Sequence, residues 1–530
     1  LREYLELCER RGLYQLVADQ LELTRDTAKK EVMRVFFDKS SHHNPASVVF
    51  ERRFPTVMAA MRKIKRKDYR HLAHHAQRIE SAFMYGRVVP YLPAIALQHI
   101  NLVIGFSVPN IDNAAHPLTV DYMPRHRELV HTIRATTGAC VVVGGSGFSI
   151  LPEQYMQALG ADFGIRGAGE LAFVALLDAL ADKRNPGNIP GLVTQHASGD
   201  SGPAALLSPA QHAQTADRLR PARQLFDYAR YLRRGGCGNI QTKRGCVFKC
   251  SYCTYPLLEG NRFQLRAAAD VVDEIEALQM RYGRHPIFFV DSILNFPHGH
   301  VEGICEELLR RRLNVRWSCY ATPVKLDANQ ARLMARAGCE GIELGTDAVD
   351  DAQLQRLGKS FHADTVHQAN RHCLAAGLRV CHALIFGAPG ETRSSIRTTC
   401  RAIRAMQPTA VIAMTGVRVY PGTPLAGQLI AAGRISRAAA GLTPTFYIEP
   451  EIADFLPGYL TRQAREAGNW VLPGIEPPLL PASQRMLRGL GISGPLWRLL
   501  RFSWMRRLSR GKFRRSTTSW GIPNPRRTLL

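Results

Sequence analysis

Gln241-Thr-Lys-Arg-Gly-Cys246-Val-Phe-Lys-Cys250-Ser-Tyr-Cys253 is the stretch on which the reading of this 530-residue chain turns. Three cysteines at C-x3-C-x2-C spacing fall within eight residues, directly after a short strand-like segment. A loop of that length can wrap its thiolates around a single soft metal centre. Structural zinc takes four ligands, and no fourth Cys or His stands at a natural offset. A [4Fe–4S] cluster held by three cysteines instead leaves one iron open to another ligand. A zinc knuckle and a chance grouping of core cysteines are the competing readings.

Downstream of the cysteines the pattern alternates. Residues 267–282 have helical periodicity, Pro286–Asp291 (PIFFVD) reads as a buried strand, 301–312 as helix, 315–320 as strand and 328–337 as helix. Gly341–Gly345 is a strand, 350–376 one helical stretch, 379–386 a strand, 393–406 a helix and 410–419 a strand. Strands alternating with helices of this length indicate βαβ units around a parallel sheet. In such sheets functional groups gather at the C-terminal strand ends. Asp291, Glu343 and the turn Gly387-Ala-Pro389-Gly390-Glu391 fall there. Taken alone, Gly-x-Pro-Gly-Glu is a strand-to-helix connection, with glycine supplying left-handed backbone and Glu391 near a helix start. Glu343 read alone is a solvated or salt-bridged strand end.

The cysteine spacing, with aromatic Tyr252 before the last cysteine, resembles the radical S-adenosylmethionine superfamily. The resemblance implies a partial (β/α)6 barrel over residues 237–447, with Cys246, Cys250 and Cys253 holding a [4Fe–4S] cluster. It implies that S-adenosylmethionine chelates the open iron and is cleaved reductively to a 5′-deoxyadenosyl radical, with the electron supplied by flavodoxin or ferredoxin. Gly387, Pro389, Gly390 and Glu391 are similar to the family's turn beside the adenine, and Glu343 to its polar strand-four residue. The position of Asp291, where the resembled subfamily often has paired acids, is followed here by Ser292.

Residues 93–184 suggest a subfamily. Asn101–Ser107 (NLVIGFS), Cys140–Gly145 (CVVVGG) and 161–166 read as strands, and 125–135, 154–159 and 169–181 as helices. Gly144-Gly145-Ser146-Gly147 at a strand end belongs to a doubly wound nucleotide-binding type of domain, or to a simple glycine-rich turn. In context the region resembles the cobalamin-binding domain of B12-dependent radical S-adenosylmethionine proteins. The loops carrying Ser107 and Asn110, Gly144 to Gly147, and Gly167 and Glu170 correspond to those around the corrin and its nucleotide tail. Such a domain opens with further βα units, and none is recognisable before Ile95, so the domain reads as truncated. The resemblance implies a cobalamin-dependent methyltransferase acting on a small molecule, peptide or lipid. The alternatives are a truncated or chimeric iron–sulfur protein without turnover and a nucleic-acid-binding protein.

The last alternative rests on charge. The net charge is +25, from 69 Lys+Arg against 44 Asp+Glu. Residues 491–530 hold ten basic and no acidic side chains, whereas 93–236 and 448–490 together balance. The surplus is therefore densest at the ends, and nucleic acid is not the favoured partner. Residues 1–92 read as a helical appendage, and Phe54-Pro-Thr-Val, 65–73 and 77–81 loosely resemble a helical stretch of plasmid- or phage-type family A DNA polymerases, without a palm. Residues 185–236, rich in Gly, Pro, Ala and Ser, read as a linker with some ordered turns. Within the helical and basic region 448–530, Leu496, Leu500, Trp504 and Leu508 form a stripe among arginines, suited to docking on the barrel or lying on an anionic membrane surface. No apolar run is long enough to span a bilayer, and without a signal-like N-terminus the chain is expected to be cytoplasmic.

Overall fold

The computed structural model describes residues 103–194, 221–475, 486–489 and 492–502, with isolated positions before residue 53. The polymerase-like segments and the basic tail beyond 502 lie outside the described residues.

The first unit has a four-stranded sheet in the order β1 (Val103–Ser107), β2 (Cys140–Gly144), β3 (Phe163–Ile165), β4 (Leu192–Thr194). The first three strands are parallel and β4 is antiparallel to β3. The run of β-branched residues at Val141, Val142 and Val143 is fully buried, as expected for a parallel strand covered on both faces. β4 falls inside the stretch read as linker, so this unit extends beyond 184.

The second unit is a parallel seven-stranded sheet in the order β15-β12-β11-β10-β9-β8-β5. Along the chain run β5 (Gly238–Ile240), a ribbon of β6 (Lys243–Arg244) with β7 (Gln264–Leu265), then β8 (Ile287–Phe289), β9 (Trp317–Ala321), β10 (Cys339–Asp347), β11 (Arg379–Phe386) and β12 (Ala410–Thr415). A second ribbon pairs β13 (Val417–Arg418) with β14 (Phe446–Tyr447), and β15 (Trp470–Val471) closes the list. Neighbours in the sheet are successive in the chain apart from the ribbons, as repeated right-handed βαβ units require. The helices cover the outer face. Helix Arg393–Met406 shows how: Thr392 caps it by accepting from Ser395 N at 3.1 Å, and Ile396, Cys400 and Ile403 are buried against the sheet, a helical spacing that places them on one face.

Three sequence expectations change. The stretch 350–376 is two helices, Asp351–Arg356 and Ala363–Ala375. The strand read at 410–419 breaks at Gly416, which has φ +79, and its remainder joins the ribbon. The region beyond 447 contributes a seventh strand, because Trp470 and Val471 pair with Val411 and Ile412.

Described residues of the C-terminal region also enter the barrel. Leu496–Arg501 is a 3-10 helix rather than a four-residue-spaced α-helix, and Trp497 and Leu500 are buried against Cys381 and Ala410. The indole packs on Gly341, where a Cβ would stand 2.9 Å from the ring. Among the described residues no helix is long and apolar enough to cross a membrane.

The two units share an interface. Tyr420 and Leu442 of the second pack against the core of the first, and helix Ser146–Ile150 lies against helix Tyr255–Glu259 beside the cysteine loop. Arg418 meets Asp112 at 2.7 Å, with side-chain exposures of 5% and 0%, and Arg244 is paired with Glu170.

Candidate functional site

The cysteine loop leaves the barrel just beyond the C-terminal end of β5. Gly245, at φ +84, lets it turn, since a Cβ there would stand 2.0 Å from the Arg262 carbonyl oxygen. Backbone bonds then fix the loop: Gly245 N donates to Glu259 Oε2 at 3.1 Å, Cys246 N to Gly260 O at 3.0 Å and Ser251 N to Leu357 O at 2.9 Å. Cys246 is buried, Cys250 and Cys253 are half-buried, and none forms a disulfide. Burial raises the Cys250 thiol, opposed mainly by Lys359. Burial pushes Cys253 up to about 11, and the Cys250 and Cys246 sulfurs add to that. Three soft donors, buried or half-buried on one eight-residue loop and free of disulfides, fit an iron–sulfur cluster. Among the described residues no three ligating side chains converge on one ion, whereas donors to different irons of a cluster need not converge. Loading requires the thiolates, so it releases protons.

Tyr252 points away from solvent. Its hydroxyl donates to Asp347 at the end of β10, where the strand carries an irregularity after Gly345 and Asp347 takes φ +60. Asp347 also holds Lys359 at 2.5 Å. Neither Asp347 nor Lys359 stood out in the sequence. The signal for Lys359 was Gly358-Lys359-Ser360, a turn that interrupts what reads as one helix.

The acidic residues divide differently from expectation. Asp291, 2% exposed, accepts from Thr242 N at 2.8 Å, Thr242 Oγ1 at 2.8 Å and Lys243 N at 2.9 Å. It therefore fixes the backbone leading into the cysteine loop. Burial raises its carboxyl, and these hydrogen bonds pull the other way. Glu343 accepts from Trp497 Nε1 at 2.7 Å, so its carboxylate braces the C-terminal segment within the barrel. Glu391 folds back to accept from Gly387 N and is pushed up to about 8 by burial. The turn from Gly387 through Pro389 to Gly390 is braced from its other side, Gly390 N donating to Glu449 Oε2 at 2.6 Å. Gly387 and Gly390 have φ +100 and +69, the left-handed region that favours glycine.

At the C-terminal edge of the first unit the predicted loops come together. Val108 N donates to Gly144 O at 2.7 Å and Gly147 N to Val108 O at 2.8 Å. Ser146 Oγ reaches Pro109 O at 2.6 Å, and Ser149 Oγ accepts from Gly167 N at 2.9 Å. A Cβ on Gly145 would stand 2.8 Å from Ser107 Oγ, and one on Gly147 3.0 Å from the Asn110 carbonyl carbon. Ser107, Asn110, Gly144 to Gly147 and Gly167 thus form one knot at the strand ends, where open α/β sheets bind ligands. Glu170 turns away to Arg244 in the strand before the cysteines, and Asp112 turns to Arg418. This pairing, separated by 306 residues for Asp112 and Arg418, had no local sign in the sequence.

Residues 240–403, which hold the three-thiol loop and most of the parallel strands, match the Radical SAM superfamily. Among curated proteins, tryptophan 2-C-methyltransferase of Streptomyces laurentii is 28% identical over 388 residues, covering 62% of this chain and 64% of that protein. Hopanoid C-3 methylase of Methylococcus capsulatus is 25% identical over 256 residues, covering 46% and 47%. The chain spans less than two thirds of the length of these relatives. Among solved structures, the radical S-adenosylmethionine methyltransferase TsrM from Kitasatospora setae, with cobalamin and a [4Fe–4S] cluster bound, superposes with TM-score 0.69 at 25% identity, covering 82% of this chain and 92% of that one. The cobalamin-dependent radical enzyme OxsB shares the fold, with TM-score 0.56 at 14% identity, covering 81% and 68%. The polymerase-like reading of residues 1–92 gains no support from these relatives.

Proposed function

We propose that the chain is a radical S-adenosylmethionine enzyme and a cobalamin-dependent methyltransferase acting at an unactivated carbon. The observation that carries this is the juxtaposition of two strand-end sites. The cysteine loop at the barrel mouth and the glycine-rich knot of the doubly wound unit lie on either side of an interface fastened by Arg244–Glu170 and Arg418–Asp112. Cys246, Cys250 and Cys253 would hold the [4Fe–4S] cluster, the Gly387–Glu391 turn would receive the adenosine portion of S-adenosylmethionine, and the loops of Ser107, Gly144 to Gly147 and Gly167 would receive the corrin. When bound, the cluster supplies an electron to S-adenosylmethionine and the corrin carries a methyl group, chemistry that side chains do not provide. The chain's own contribution is placement: Asp291 holds the approach to the cysteine loop, Tyr252 and Asp347 hold its end, and the two ion pairs set one site against the other. Flavodoxin or ferredoxin would deliver the electron in a reducing cytoplasm, to act on a small-molecule, peptide or lipid substrate rather than nucleic acid.

The test is anaerobic reconstitution of the full chain with iron, sulfide and hydroxocobalamin, followed by gel filtration and a visible spectrum. The reading expects a retained corrinoid spectrum alongside the cluster. A reconstituted protein with the cluster and no corrinoid after gel filtration would remove the cobalamin-dependent methyl transfer.

A further inference from the structure

Helix Arg393–Met406 carries Arg393, Arg397, Arg401 and Arg404 at steps of three or four residues, a spacing that sets them on one face. All four are exposed, whereas Ile396, Cys400 and Ile403 of the same helix are buried against the sheet. Two aromatic rings hold the guanidinium groups in place. Arg393 and Arg397 lie over the Phe455 ring at 5.2 and 5.7 Å. Phe455 stacks on Tyr459 at 4.8 Å, and Arg462 lies over Tyr459 at 5.5 Å. The far end of the stripe is neutralised, since Arg404 Nη2 meets Glu466 Oε2 at 2.7 Å. One exposed carboxylate, Asp454, stands next to Phe455 in the chain.

The near end of the stripe meets the cysteine loop. Arg393 directly follows the Gly387–Glu391 turn and Thr392, beyond the C-terminal end of β11. A Cβ on Gly390 would stand 3.0 Å from Nε of Arg356, which is exposed. The next residue, Leu357, accepts from Ser251 N at 2.9 Å, between Cys250 and Cys253. Lys249 is exposed within the same loop, and a Cβ on Gly358 would stand 2.4 Å from its carbonyl oxygen. Lys249, Arg356, Arg393, Arg397 and Arg401 thus form an exposed basic track leading to the three thiols. Among the described residues none of these five is ion-paired.

Helix stability does not account for the stripe. A cation in the first helical turn opposes the helix dipole, and like charges four residues apart repel. Arg393 incurs the first cost, and Arg393, Arg397 and Arg401 incur the second. Local rules broken in this way are expected at functional positions. A cluster that cleaves S-adenosylmethionine takes one electron per cleavage from outside, delivered where the cysteine loop reaches the surface. A basic face at that place raises the association rate of a partner that bears negative charge.

Resting on the cluster reading above, we propose that the face of Lys249, Arg356, Arg393, Arg397 and Arg401 docks an acidic one-electron carrier protein. The carrier is oxidised as its electron passes to the cluster, which is reduced, and no bond or proton changes hands at the interface. The test gives reduced flavodoxin, or reduced methyl viologen as a small cationic carrier, to the anaerobically reconstituted full chain and to its Arg393→Gln, Arg397→Gln, Arg401→Gln variant. Release of 5′-deoxyadenosine is followed. The expected result is a KM for flavodoxin raised about tenfold or more in the variant, with viologen-driven cleavage unchanged. Added salt should raise the wild-type KM for flavodoxin steeply and that of the variant little, because exposed charges are screened. A variant as responsive to flavodoxin as the wild type overturns the inference, even if it has lost binding to anionic phospholipid vesicles, which would assign the face to a membrane. If the variant also fails with viologen, the wild type decides: a KM for flavodoxin indifferent to salt overturns the proposal, and one that rises supports it. A wild type that responds to viologen and not to flavodoxin overturns the docking face while the cluster reading stands. No cleavage with either carrier defeats the cluster reading itself, and this inference with it.

Discussion

Gly245 and Glu391 show how single positions govern the site. An alanine at 245 would drive its Cβ into the Arg262 carbonyl at 2.0 Å and occupy φ +84, backbone strain of about 1–3 kcal/mol. Gly245→Ala is expected to lower iron uptake on reconstitution while leaving the far-ultraviolet circular dichroism near wild type, and iron analysis checks this. Glu391 carries a pH signature. Its folded carboxyl is pushed up to about 8 by burial, against about 4.3 in an unfolded chain. The folded state therefore binds its proton more tightly, and stability from this group is complete below the unfolded value and lost as pH rises through 8. Glu391→Gln should flatten the decline in melting temperature between pH 5 and about 8, measured by thermal melts across that range. At this scale the three cysteines were legible because their spacing is local. The hydrogen bonds of Asp291 and Glu391 were not legible, because the backbone amides that claim their oxygens are placed by the fold.

Between elements, the interface ion pair offers a sharper test. Arg418 and Asp112 are almost wholly buried together, and removing one partner leaves a buried charge, a loss of about 3–5 kcal/mol. Arg418→Ala should unfold at clearly lower denaturant, and the double variant Arg418→Met with Asp112→Leu should recover most of that loss. A single variant as stable as wild type in a urea melt would show that the pair fastens nothing. The Trp497 contact is a second case: Trp497→Ala removes a buried ring and the donor to Glu343, for about 3–5 kcal/mol, read in the same melt. Element type was largely readable where β-branched or alternating runs were long, as at Val141 to Val143 and Arg379–Phe386. It failed where context decides: residues 357–362 loop out because Gly358 and Lys359 meet the cysteine loop, and Trp470–Val471 is too short a strand to show a period.

For the molecule as a whole, the charge of +25 and the chemistry sit in different places. The described core consists of two α/β units whose C-terminal strand ends meet, and the charge surplus lies mostly outside the first of them. Long-range pairings such as β12 with β15, or Arg418 with Asp112, leave no trace in local composition, so architecture was legible by class while the joining of its parts was not. The central claim is that Cys246, Cys250 and Cys253 hold a cluster that activates S-adenosylmethionine. The most direct measurement is cleavage of S-adenosylmethionine under dithionite by the anaerobically reconstituted full chain and by its Cys246→Ala, Cys250→Ala, Cys253→Ala variant, following 5′-deoxyadenosine by mass spectrometry alongside bound iron. The expected result is about four irons per wild-type chain with 5′-deoxyadenosine released, and neither in the variant. A triple variant that still cleaves S-adenosylmethionine would contradict it.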